Sequence, residues 1–73
     1  MKVGSMVKAS YIRSGVPGPE FVGIIVNIEK VTSLFSEKYA IMDTNTYVRV
    51  LSGGQLMTFD MEEDNIEVIN ENR

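Results

Sequence analysis

Apolar and polar residues alternate over short stretches of this chain, and turn-forming residues separate the stretches. That pattern predicts strands with one buried face each. The first is Ser5–Ile12, with Val7, Ala9 and Tyr11 on the buried face and Met6, Lys8, Ser10 and Ile12 opposite. RSGVPGPE, residues 13–20, holds two prolines and two glycines in eight residues, which predicts a stiffened loop. FVGIIVNIEK, residues 21–30, is the second strand. Its even positions Val22, Ile24, Val26 and Ile28 alternate and are expected inside. Its other face starts with Phe21, Gly23 and Ile25, so the strand is apolar on both sides at one end. A glycine inside a strand marks a bend or bulge.

The alternation breaks at VTSLFS, 31–36, which predicts a loop with Leu34 and Phe35 tucked onto the body. KYAIMD, 38–43, is a third strand, and the Thr-Asn-Thr at 44–46 is a turn. YVRVL, 47–51, is a fourth strand with Val48 and Val50 inward and Tyr47 and Arg49 outward. Ser52-Gly53-Gly54 predicts a hairpin, because two glycines supply the positive φ angles of hairpin turns. Gln55–Phe59 pairs back, with Leu56 on one face and Met57 and Phe59 on the other. Asp60 with Glu63 three residues on resembles a capping box, in a segment short enough for a single 3₁₀ turn. Ile66 and Val68 then alternate with Glu67 and Ile69 in a last strand, and the final four residues are expected to fray.

Five to six short strands and no helix predict one all-β domain over 1–73, a small, strongly bent antiparallel β-barrel. Closure would remove exposed strand edges. Composition sharpens this. Seventy-three residues bury a modest core, and domains of this size commonly add disulfides, a metal or self-association. With no cysteine and no histidine, disulfides are excluded and a zinc site is not expected. Self-association, or a compact barrel standing alone, is what remains. No signal-like or membrane-spanning apolar run is visible, so the expectation is a cytoplasmic protein with no membrane partner.

The net charge of −3 is uneven: residues 1–38 carry five basic and three acidic groups (+2), residues 39–73 two basic and seven acidic groups (−5). An acidic whole disfavours tight non-specific nucleic-acid binding. The absence of His and Cys removes the commonest general base and nucleophile, so no enzyme, catalytic residue or cofactor is expected. Glu62, Glu63 and Asp64 are a dense carboxylate cluster, but they lack the alternating spacing of a calcium loop and read as a solvated turn. Tyr11 with Arg13 and Tyr47 with Arg49 are aromatic–cation pairs suited to stacking a base or anchoring a protein interface.

Val22-Gly23-Ile24-Ile25-Val26 resembles the first motif of the Sm and Sm-like family. Glu29 and Ser33 stand six and ten residues after the glycine, where that family carries aspartate and asparagine. Val50-Leu51-Ser52-Gly53-Gly54-Gln55-Leu56 is similar to the second motif, with Ser52 in place of its arginine. The likeness covers roughly residues 21–59. It implies a barrel whose subunits join edge to edge into rings, and RNA contacts at Glu29, Ser33, Ser52 and Gly53. The hairpin, acidic turn and final Ile-x-Val-Ile are equally similar to SH3-like barrels, and the general style to small proteins of marine tailed phages, including cyanophages. A phage-encoded chain would work inside the host cell. The leading expectation is a self-associating binding or scaffolding module, with Phe21, Ile25, Tyr47 and Arg49 near subunit contacts. The alternatives are an RNA-binding Sm-like protein, and a monomeric SH3-like adaptor contacting its partner through the 13–20 loop.

Overall fold

The computed structural model describes residues 1–36 and 41–70, with side-chain surroundings for 1–32 and 43–70. Among these residues the chain is strand, turn and short irregular stretches, with no helix. The strands are β1 (Met6–Ser10), β2 (Ile12–Arg13), β3 (Val16–Pro17), β4 (Phe21–Ser36), β5 (Ile41–Ser52), β6 (Gln55–Asp60) and β7 (Asn65–Asn70). Five of them form one antiparallel sheet in the order β6-β5-β4-β1-β7, and β2 and β3 form a separate small hairpin. No helix among the described residues is long and apolar enough to cross a membrane.

The buried hydrophobic core is Val7 and Ala9 of β1, Ile25 of β4, Val48 and Val50 of β5, and Phe59 of β6. Tyr11, Phe21, Ile28, Met57, Ile66 and Val68 pack around it half-buried. The expected inward faces of β1 and of Tyr47–Leu51 therefore hold, and the faces shared by Met57 and Phe59 and by Ile66 and Val68 are the inner ones. Gly53 and Gly54 turn the β5–β6 hairpin with φ of 57° and 79°, a left-handed pair that suits glycine.

The second strand is turned over relative to the sequence expectation. Val22, Ile24 and Val26 are 52%, 45% and 42% exposed, whereas Ile25 is fully buried. Gly23 explains the choice of face. A Cβ there would overlap the Leu51 carbonyl oxygen and lie 2.7 Å from Val50 Cγ1. The crowded side of β4 thus admits no side chain at 23, and the odd positions share it. A bulge between Ile25 and Asn27 then shifts the parity, which brings Ile28 back to the core as expected.

Four loop and turn assignments also change. Residues 31–36 and 44–46 are not loop and turn but paired strand, in register through Lys30↔Thr46, Val31↔Asn45 and Thr32↔Thr44. The Thr32 and Thr44 hydroxyls hydrogen-bond at 3.0 Å. The 13–20 loop contains the β2–β3 hairpin, turned at Ser14 and Gly15 with φ of 54° and 76°. The 60–64 turn is closed by Asp64 N–H donating to the Asp60 carbonyl at 2.9 Å, an i→i+4 bond rather than the i→i+3 bond of a 3₁₀ turn. Asn70, expected to fray with the last three residues, is instead paired strand opposite Met6. The strand expected at Lys38–Ala40, the packing of Leu34 and Phe35, and the fraying expected at 71–73 lie outside the described residues.

Candidate interaction surface

The sheet order leaves β6 and β7 at its two margins, and neither pairs with another strand along its outer side among the described residues. Each margin is six residues long. Natural edges are commonly blunted with lysine, proline or inward-pointing charge. Here β6 reads QLMTFD and β7 reads NIEVIN, with one acid each and neither lysine nor proline. These margins are templates for further strand pairing.

The face pattern of the two margins also matches. On β6, Met57 and Phe59 point to the core while Leu56 and Thr58 are exposed. On β7, Ile66 and Val68 point to the core while Glu67 and Ile69 are exposed. The two margins run in the same direction across the antiparallel sheet, so a join that keeps their core faces on one side is parallel; with Thr58 opposite Glu67 it places Met57 opposite Ile66 and Phe59 opposite Val68. Every pair then shares a face, which is what strand register demands.

The four residues expected near subunit contacts are not brought together. Ile25 is wholly inside the protomer, which leaves it no surface to offer and corrects its assignment to an interface. Phe21 is half-buried against the core. Tyr47 and Arg49 sit on the outer face of β5, opposite Asp60 and Thr58 of β6. Arg49 Nη2 lies 3.5 Å from Glu29 Oε2, so its cation already faces a carboxylate.

The residues matched to the RNA-contacting motifs are also dispersed. Ser52 Oγ donates to the Val22 carbonyl at 2.7 Å, which fixes the 52–53 corner beside the start of β4. Glu29 and Ser33 pair with Tyr47 and Asp43, farther along the same ribbon. At ~3.3 Å per strand residue they stand about 20 Å and about 35 Å along β4 from Val22.

Tyr11 is occupied as well. Its ring stacks on Phe59 with centroids 4.4 Å apart, and the Arg13 guanidinium carbon lies 5.0 Å from its centroid. Arg13 is in turn 3.6 Å from Asp64 Oδ1. Asp64 is the residue that the sequence reading undervalued. Its side chain is only 7% exposed. It accepts from Ile12 N–H at 3.1 Å and from Asp60 N–H at 2.9 Å, tying the start of β2 to the turn before β7. Glu62 and Glu63 stay exposed, as a solvated turn requires. The available signal was position: Asp64 is the last acid before a strand, where a carboxylate can cap free backbone amides.

No family model, curated protein or solved structure matches the chain.

Proposed function

We propose that this chain is a non-enzymatic binding or scaffolding module, a bent Sm-like or SH3-like barrel that joins copies of itself edge to edge. The barrel reading is supported by burial. Six hydrophobic side chains on one face of a single sheet are 0–1% exposed. Among the described residues only Tyr11 and the small β2–β3 hairpin lie beside that face, and a sheet so lightly covered reaches such burial by curling over its own face. The self-association reading is carried by one observation: the two margins, β6 and β7, are equally long, unblunted, and matched residue for residue in facing. Because the two margins differ, their join is heterologous, and such joins close into rings when the rotation allows.

Sedimentation velocity tests this. The wild type is expected to run as an assembly of at least three chains at micromolar concentration. Thr58→Glu places a second carboxylate opposite Glu67 in every join, at an exposed position that faces Arg49 within its own sheet. That variant should lose the ring mass while keeping its circular dichroism spectrum. A wild type that stays monomeric at high micromolar concentration contradicts the proposal.

A further inference from the structure

One backbone hydrogen bond fixes which residues of β6 turn their polar groups outward. Met61 N–H donates to the Thr46 carbonyl at 2.9 Å, so 46 and 61 form a hydrogen-bonded pair. Opposed residues of an antiparallel ladder alternate between bonded and non-bonded pairs. Val48–Phe59, Val50–Met57 and Ser52–Gln55 are therefore bonded, whereas Tyr47–Asp60, Arg49–Thr58 and Leu51–Leu56 are not. Leu56, Thr58 and Asp60 thus direct their backbone N–H and C=O groups away from β5, along the outer side of the margin.

The other margin follows from the same alternation. Ile25 N–H donates to the Ser5 carbonyl at 3.0 Å, one step beyond the Met6–Ile24 pair. Val7 and Ala9 therefore bond to β4, while Lys8 and Ser10 turn toward β7. Their partners Glu67 and Asn65 bond inward to β1, which leaves Ile66 and Val68 with outward N–H and C=O groups. In a parallel ladder a residue bonds to the two neighbours of the residue opposite it. Thr58 opposite Glu67 of the next copy then donates to the Ile66 carbonyl and accepts from Val68 N–H, and Leu56 C=O accepts from Ile66 N–H. The outward groups of the two margins thus agree with the register set by side-chain facing.

The third outward position on β6 is already filled from within the chain. Asp60 N–H donates to Asp64 Oδ2 at 2.9 Å, and the Asp60 carbonyl accepts from Asp64 N–H at 2.9 Å. One residue therefore satisfies both outward groups of Asp60, as a neighbouring strand would. Asp64 is held in place there: its side chain is 7% exposed, and its Oδ1 accepts from Ile12 N–H at 3.1 Å. An added strand finds open groups at Leu56 and Thr58 but not at Asp60. On β7 the regular pairing with β1 also ends at Val68, because the register shifts between Met6 and Val7. Each margin thus offers two regular outward positions, Leu56 and Thr58 on one and Ile66 and Val68 on the other.

We infer that Asp64 is the end stop of the edge join, a positioning residue that confines strand addition on β6 to Leu56 and Thr58. The inference rests on the edge-to-edge reading of assembly. An edge open along its whole length templates any strand that reaches it. With Asp60 capped, the ladder between copies ends at Thr58, short of the corner where the chain turns toward β7. Without the Asp64 side chain, Asp60 N–H is free to donate to the Val68 carbonyl of the next copy, and the ladder lengthens by one position.

Amide hydrogen exchange, run at low and at high micromolar protein and read by NMR, tests this. In the wild type, the Thr58, Ile66 and Val68 amides should exchange about tenfold more slowly at the high concentration, while Asp60 is protected equally at both. In Asp64→Ala, the Asp60 amide should exchange fast at the low concentration and gain about tenfold protection at the high one. Gly23→Ala, whose strain falls between β4 and β5, should keep the wild-type pattern and so separates the end stop from a general loss of stability. A wild-type Asp60 amide protected only at high concentration would overturn the end stop and leave the edge join standing. So would an Asp64→Ala protein whose Asp60 amide stays fast while Thr58, Ile66 and Val68 gain protection. No concentration-dependent amide on either margin would instead overturn the edge join itself, and the end stop with it.

Discussion

Gly23 and Asp64 each do work that no neighbouring residue type could take over. At Gly23 the constraint is steric: the Leu51 carbonyl and Val50 Cγ1 occupy the space of a side chain. Gly23→Ala must push β4 away from β5, and overpacking of this kind costs about 2 kcal/mol. A urea titration should show that loss as a lower midpoint with an unchanged slope. At Asp64 the constraint is polar satisfaction. Asp64→Ala strands the Ile12 and Asp60 amides and should cost about 2 kcal/mol. Arg13→Ala removes only a partner whose side chain is 75% exposed, so it should cost less than about 1 kcal/mol. Equal losses for the two variants would mean that the ion pair, and not the backbone capping, holds the turn. Neither role was plain from sequence. A glycine inside a strand announces a special position but not which neighbour creates it. Three clustered acids do not announce which one turns inward.

Among the elements, the β5–β6 hairpin was the most legible, because its geometry is written in two consecutive glycines. Both have positive φ in the structure. Gly53→Asn should leave stability nearly unchanged, since Asn followed by Gly suits the same turn, while Gly54→Val should cost about 1–2 kcal/mol. Thermal melts of the pair would show the contrast. The inward Val48 and Val50 were equally legible, because Arg49 marks the opposite face. Strand β4 was not. With aliphatic residues on both faces, alternation identifies a strand but not its orientation, and a slip of one residue exchanges the faces. The ribbon at 31–36 and 44–46 was missed for a different reason. Its Thr, Ser and Asn residues have local turn preference, yet each strand supplies the other's backbone partners from about a dozen residues away. Non-local pairing overrides local preference in sheets.

At the scale of the whole molecule, all-β character was legible from the spacing of strand and turn signals. The proposal of association starts from length and the lack of cysteine. Where a join could form was not legible. It depends on which strands end up at the margins, and the order β6-β5-β4-β1-β7 is a property of topology. The most direct test of the edge join is a register-specific cross-link. Thr58→Cys protein mixed with Glu67→Cys protein should yield a mixed disulfide between the two, because the join sets residue 58 of one copy opposite residue 67 of the next. Neither variant alone should link appreciably. No mixed disulfide, or homodisulfides formed as readily as the mixed species, would contradict edge-to-edge assembly.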